Sequence, residues 1–290
     1  IDMEPPTDLT IYPGCNHSIE EATIPHDMPW TEIPGIPKSA SREGVPGQIL
    51  SYDMVDYVDQ CCEKSVKLAG PRFKGWVKAG TPFVMNDGDW PDNRNAGALT
   101  PIALSVVMSI LYAARLARPD LMKSTCVLGR KVTKWDAECD RRLHRLVSYM
   151  KQTRSLVMCA IVADSPDQIR LCLFCDADFA GYQEDATSTS GLFLCIYGPN
   201  TFFPLSAVSK KQGNVSQSAC ESEIIALALG LKTEGLPALD IWELICSFPV
   251  VGKPPPKPWW HVYEDNQSTL TVAIKGFVAV VVIHICSSPR

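Results

Sequence analysis

L-C-L-F-C-D-A-D-F-A-G, Leu171 to Gly181, is an apolar run that closes on an acid. Its residues are apolar at odd and even positions alike, so Ile169 to Cys175 reads as a central strand covered on both faces. Asp176 then stands at the end of that strand. Working outward, Val157 to Val162 is another apolar run of strand length. Gly191 to Tyr197 and Thr201 to Val208 read as a hairpin across Gly198-Pro199-Asn200. Ser218 to Lys232 has helical spacing, Phe248 to Pro258 is a proline-rich connection, and Trp259 to Glu264 reads as a strand. Asn266 to Lys275 is a short helix stopped by Gly276. Strands followed by alternating helix, strand and helix predict a mixed α/β sheet with flanking helices.

The first half reads differently. Ser51 to Ala69 predicts a helix with Ser51 as N-cap and Gly70-Pro71 as its stop. Within it, Tyr57-Val58-Asp59-Gln60 is a near miss of a polymerase Tyr-x-Asp-Asp motif and reads as ordinary helix. Thr100 to about Arg118 predicts a second helix with Leu104, Val107, Met108, Leu111 and Ala114 on one face. A third opens at Pro119, and a fourth runs from Lys134 to Lys151. On that last helix Arg141, Arg142, Arg145 and Lys151 fall off the apolar stripe, which makes it the candidate basic surface for nucleic acid. Ile1 to Gly47 is proline-rich and predicts an extended or disordered arm. The expected organisation is therefore an arm over 1–47, a helical segment over 48–155 and the α/β domain over 156–290.

The chain has 290 residues, a net charge of −5, 46% hydrophobic and 20% charged residues, enough for a packed core. Its 12 cysteines are scattered. Cys172 and Cys175 form a C-x-x-C inside a strand, so they point to opposite faces and suit no shared zinc. The expectation is reduced, buried thiols in a cytoplasmic or nuclear protein. The start, I-D-M-E-P-P-T-D, does not read as a signal peptide. Phe277 to Ile285 is too short to span a membrane, so no membrane partner is expected.

Two more acids join Asp176. In S-A-C-E-S-E-I-I-A-L, Ser218 and Glu221 form a capping box, which gives Glu221 a structural task. Glu223 has no such task and borders the apolar stripe. Asp265, in H-V-Y-E-D-N-Q-S, sits where a strand gives way to a helix, as a metal ligand, a helix cap or both. Acids converging from the ends of buried elements are costly unless a cation neutralises them, and hard divalent cations take such oxygens.

D-A-D-F-A-G, S-T-S-G (Ser188 to Gly191), S-K-K-Q (Ser209 to Gln212), E-S-E-I-I-A-L and E-D-N-Q-S, in this order, resemble the ribonuclease H domain of copia-type retrotransposon polyproteins. The likeness spans Leu171 to Ala273. Asp53 to Arg154, with S-I-L-Y-A-A-R-L-A-R-P-D, resembles the end of the reverse transcriptase region that precedes that domain. The resemblance implies a ribonuclease H-like fold that hydrolyses the RNA strand of an RNA–DNA hybrid. It assigns Asp176, Glu223 and Asp265 as catalytic ligands of two Mg²⁺ ions, with Mn²⁺ as a substitute. It places Lys210 and Lys211 near the substrate backbone, and makes the rest of the polyprotein a partner. Two departures stand out. His284-Ile285 is followed by Cys286 where the family has a fourth acid, and the final helix is missing, which predicts a C-terminally truncated domain of impaired activity. The polymerase's Tyr-x-Asp-Asp is absent too. The alternative is a non-catalytic remnant that still binds nucleic acid.

Overall fold

The computed structural model describes residues 11–12, 14–24, 44–83, 95–182, 185–248 and 256–276. The chain forms two compact units, one built mainly from Ile49–Asp87 and Pro91–Cys159, the other mainly from Ala160–Arg290.

The first unit takes in strand β1 (Ile11–Tyr12) and most of β2 (Cys15–Thr23), paired antiparallel. This corrects the expected arm for those residues: buried Cys15 and Ile24 anchor the segment. Strand β3 (Pro46–Asp53) follows, and it contains Ser51, which therefore caps no helix. Helix α1 (Val55–Ala69) opens two residues later, where the Val55 N–H donates to Asp53 Oδ1 at 2.8 Å. The near-miss tetrapeptide lies inside α1, with Val58 buried and Asp59 paired to Lys151 and Arg154. Helices α2 (Thr100–Leu116), α3 (Met122–Lys131) and α4 (Ala137–Gln152) complete the unit. On α2 the buried face is Ala103, Val106, Val107, Ile110, Ala113 and Ala114, while Leu104 and Met108 are half exposed. The apolar stripe is thus rotated from the expected one. α2 is apolar around most of its girth, so spacing alone could not choose the face. α4 starts at its cap Asp136, whose carboxylate accepts from the Cys139 N–H.

The second unit is a mixed sheet. Its strands are β4 (Met158–Val162), β5 (Arg170–Tyr182), β6 (Thr187–Tyr197), β7 (Phe202–Lys211) and β8 (Trp260–Tyr263), in spatial order β4-β7-β6-β5-β8. β5, β6 and β7 form an antiparallel meander, and β8 lies parallel to β5. Helices α5 (Ala219–Gly230), α6 (Leu236–Ser247) and α7 (Gln267–Gly276) flank it. A π-helical turn, Leu231–Gly235, joins α5 to α6. Leu171, Leu173 and Cys175 of β5, with Leu192 and Leu194 of β6, pack against Leu227 of α5 and Trp242 and Cys246 of α6. β5 is longer than the sequence suggested. Asp176 still pairs with Gly191 and Asp178 with Thr189, before an irregularity leads to Tyr182. Asp176 therefore lies inside the strand rather than at its end. Helix α6 had no sequence assignment; its Pro237 occupies the first helical turn, where the missing N–H is harmless.

Candidate metal centre

Three elements deliver three acids to one place. β5 brings Asp176, α5 brings Glu223, and the segment between β8 and α7 brings Asp265. One carboxylate oxygen from each lies within 4.8 Å of the others; Glu223 is buried and the two aspartates are exposed. Oxygens on opposite sides of a divalent cation stand about 4–5 Å apart, twice the usual cation–oxygen distance. The spread fits a divalent ion with only small side-chain adjustments.

Local structure frees these acids for the task. At the start of α5 the Glu221 N–H donates to Ser218 Oγ at 3.1 Å, and the Gln217 N–H donates to Glu221 Oε2 at 2.7 Å. Glu221 is therefore the structural acid, as the capping box predicted. At α7 the cap is Asn266: its Oδ1 accepts from the N–H groups of Ser268 and Thr269, both at 3.0 Å. The capping task that competed for Asp265 falls to its neighbour. Asp178 is folded toward its own loop, since a Cβ on Gly181 would sit 2.5 Å from its Oδ2.

Gln212 of the S-K-K-Q motif is buried and ties the sheet to α5. Its Nε2 donates to Ser190 Oγ at 3.0 Å and to the Ser222 carbonyl at 2.8 Å, while Ser216 donates to its Oε1 at 3.1 Å. The Ser222 contact fixes the turn of α5 that carries Glu223.

The electrostatics favour a cation. Burial pushes the Glu223 carboxyl up to about 8, reinforced by the charges of Glu264, Asp176 and Asp265; a hydrogen bond from the Ala177 backbone opposes this. Its Oε2 is buried and has no hydrogen-bond partner. Two unit charges at this separation repel by roughly 3 kcal/mol at an effective dielectric of about 20. The donor set is all carboxylate oxygen, which suits a hard divalent cation.

Sequence reasoning missed Glu264. It is 4% exposed, its carboxyl is raised to about 7, first by burial and then by the Asp265 and Asp176 charges, and its Oε2 lacks a partner. The available signal was period two along β8, which continues Trp260 and Val262 inward to residue 264.

The expected nucleic-acid contacts fare unevenly. Lys210 is exposed on β7. Lys211 is paired with Asp185, and its ammonium lies over the Tyr182 ring at 5.3 Å. The hydrogen bond from Lys211 holds the Asp185 carboxyl down at about 2. The α4 arginines are corrected in part. Arg142 is buried and its Nε donates to Glu138 Oε1 at 2.8 Å. Arg141 grips the same carboxylate through two nitrogens, though its side chain is 57% exposed. Arg145 donates to the Phe83 carbonyl and to Thr81 Oγ1. The buried acid Glu138 draws Arg141 and Arg142 into structural bonds, and Arg142, itself buried, is withdrawn as a phosphate contact. The Cys172 and Cys175 thiols are both pushed by burial to about 12, and every cysteine among the described residues is free. They are packing groups.

The fold and the site together define a mixed α/β protein with a sheet-edge acidic centre able to coordinate a metal ion. No family model matches the chain. Over 130 residues it is 32% identical to secreted RxLR effector protein 161 of Plasmopara viticola, a match covering 43% of this chain and 83% of that protein. The chain belongs to the same family as that protein. Among the described residues no helix is long and apolar enough to cross a membrane.

Proposed function

We propose that this chain is a metal-dependent endonuclease of ribonuclease H type, cutting the RNA strand of RNA–DNA hybrids as part of a retrotransposon polyprotein. The observation that carries the reading is the meeting of Asp176, Glu223 and Asp265 oxygens within 4.8 Å, from elements far apart in the chain. The ordered motifs D-A-D-F-A-G, S-K-K-Q, E-S-E-I-I-A-L and E-D-N-Q-S support it, and so does the sheet of three antiparallel strands with β8 parallel beside β5. Mg²⁺, or Mn²⁺ in its place, would be held by those three carboxylates. When bound, such a cation polarises the phosphodiester and lowers the pKa of the attacking water. The protein's part is positional. Gln212 and the Ser218 cap fix α5, Asn266 fixes the start of α7, and Asp176 is set by its strand. Lys210 lies on β7, which pairs with β6 beside Asp176, and offers a positive charge to a phosphate backbone.

Cleavage of a labelled hybrid with Mg²⁺, compared with Asp176→Asn and Glu223→Gln, tests the reading. Loss of cleavage in both variants is expected; equal cleavage in all three proteins would refute it. The second reading, a non-catalytic remnant that binds nucleic acid, draws on Cys286 standing where the resemblance expects an acid. Hybrid binding without cleavage by the unaltered chain would favour it. Location in the cytoplasm, in the nucleus or within a particle belongs to the same proposal.

A further inference from the structure

Helix α1 packs against both α2 and α4. These three helices and the segment after α1 enclose a chamber of about 530 Å³, whose lining residues all belong to the first unit. Ala69 of α1, Ile102 and Val106 of α2, and Leu143 and Val147 of α4 line it, with Phe73 beside them. Protein interiors pack to near-crystalline density, and voids much larger than a water are few. A chamber of this size falls in the range of small-molecule sites, which are mostly apolar with a few placed polar groups. The polar groups here sort into two kinds. Most are spent on the fold. Asp140 accepts from the N–H groups of Ala98 and Leu99 at 2.6 and 3.1 Å and from Trp135 Nε1 at 2.7 Å. Ser65 Oγ donates to the Cys61 carbonyl at 2.7 Å, and His144 Nε2 donates to the Gly75 carbonyl at 2.6 Å. Arg141 holds Glu138 through two nitrogens. Arg72 and Lys74 are different. Both line the chamber, both are exposed, and neither has an ion pair or a side-chain hydrogen bond among the described residues. The chamber is thus apolar within and carries two uncommitted positive charges at its exposed edge, while its one acid is fully engaged. Such a site attracts an apolar body with an anionic head and repels the same body with a cationic one.

We propose that this chamber binds an aliphatic carboxylate, its chain among α1, α2 and α4 and its head between Arg72 and Lys74. Binding is the readout, so the outcome does not depend on metal or on cleavage at the acidic centre. The probes are decanoate and decylammonium, which share a chain and differ in the sign of the head, each titrated by calorimetry into the full chain. One saturable decanoate site is expected, with decylammonium at least about 10-fold weaker. Arg72→Gln combined with Lys74→Gln removes the edge charges and leaves the Arg141 bonds to Glu138 in place. It is expected to weaken decanoate about 3- to 10-fold and to narrow the gap to decylammonium. Ala69→Leu fills the chamber and is expected to weaken decanoate at least about 10-fold, with Ile102→Trp as the same test from α2. Thermal unfolding checks that each variant folds. No saturable decanoate binding by the unaltered chain would overturn the proposal, and so would decylammonium bound equally well. Unchanged decanoate affinity in the folded double variant, or in a folded chamber-filling variant, would overturn it too.

Discussion

A glutamate that is 7% exposed and has one oxygen without a donor weakens the metal-free fold. Burial and neighbouring acids hold Glu223 at about 8 and Glu264 at about 7, above the ordinary carboxylate range. Between the unfolded value near 4.5 and those folded values, the folded state binds more protons than the unfolded one. Stability of the metal-free protein therefore falls as pH rises from about 5 to about 8, and saturating Mg²⁺ reverses the trend because the cation binds the ionised forms. Thermal midpoints across that range, with chelator and with Mg²⁺, check this; a chelated protein that gains stability toward pH 8 would contradict it. Glu223→Gln removes the buried charge. It is expected to raise the chelated midpoint at pH 8 by roughly 2–4 °C, about 1 kcal/mol for a chain of this size, while abolishing the response to Mg²⁺. At this scale the sequence was informative about Asp176, Glu223 and Asp265, since each departs from the apolar pattern around it. It was misleading about Arg142: the i,i+4 spacing from Glu138 allowed the ion pair, but the burial of both side chains is set by tertiary packing.

Elements place these side chains through close contacts that leave little room. Gly230, at the end of α5, faces Cys175 Sγ, which a Cβ would approach to 2.7 Å; Leu192 would be met at 2.9 Å. Gly235, in the π-helical turn, would meet the Trp260 ring at 2.8 Å. Gly230→Ala is therefore expected to push α5 off the sheet, costing about 1–3 kcal/mol in chemical denaturation. Moving Glu223 with the helix, it should also weaken Mn²⁺ binding, and unchanged affinity would show that α5 is not the lever. Ser218→Ala removes a side-chain acceptor from the helix start and is expected to cost about 1 kcal/mol in the same measurement, with Asn266→Ala close to it. The caps at Ser218 and Asp136 follow local rules, and Ser218 was legible on that basis. α2 was legible as a helix but not in its orientation, and α6 was left unassigned.

At the scale of the molecule, the acidic centre belongs to one of two compact units, the one built mainly from Ala160–Arg290. Metal that binds only the folded centre stabilises by mass action, by about 2.7 kcal/mol at one hundred times its Kd. Hydrogen exchange with and without Mg²⁺ should therefore slow in β5, α5, β8 and α7, with little change in α1, α2 and α4. Equal protection throughout would indicate coupling that the division into units does not predict. The amino-acid sequence alone determined the order of strands and helices around Leu171 to Gly181, the capping box at Ser218 and the three acids worth suspecting, because period, caps and interrupted apolar runs are local properties of the chain. Only the tertiary structure decided that those acids meet and that Glu264 is buried. Each of these depends on parallel pairing of β8 with β5 and on the seat of α5 over the sheet, contacts between residues so distant in the chain that no local pattern encodes them.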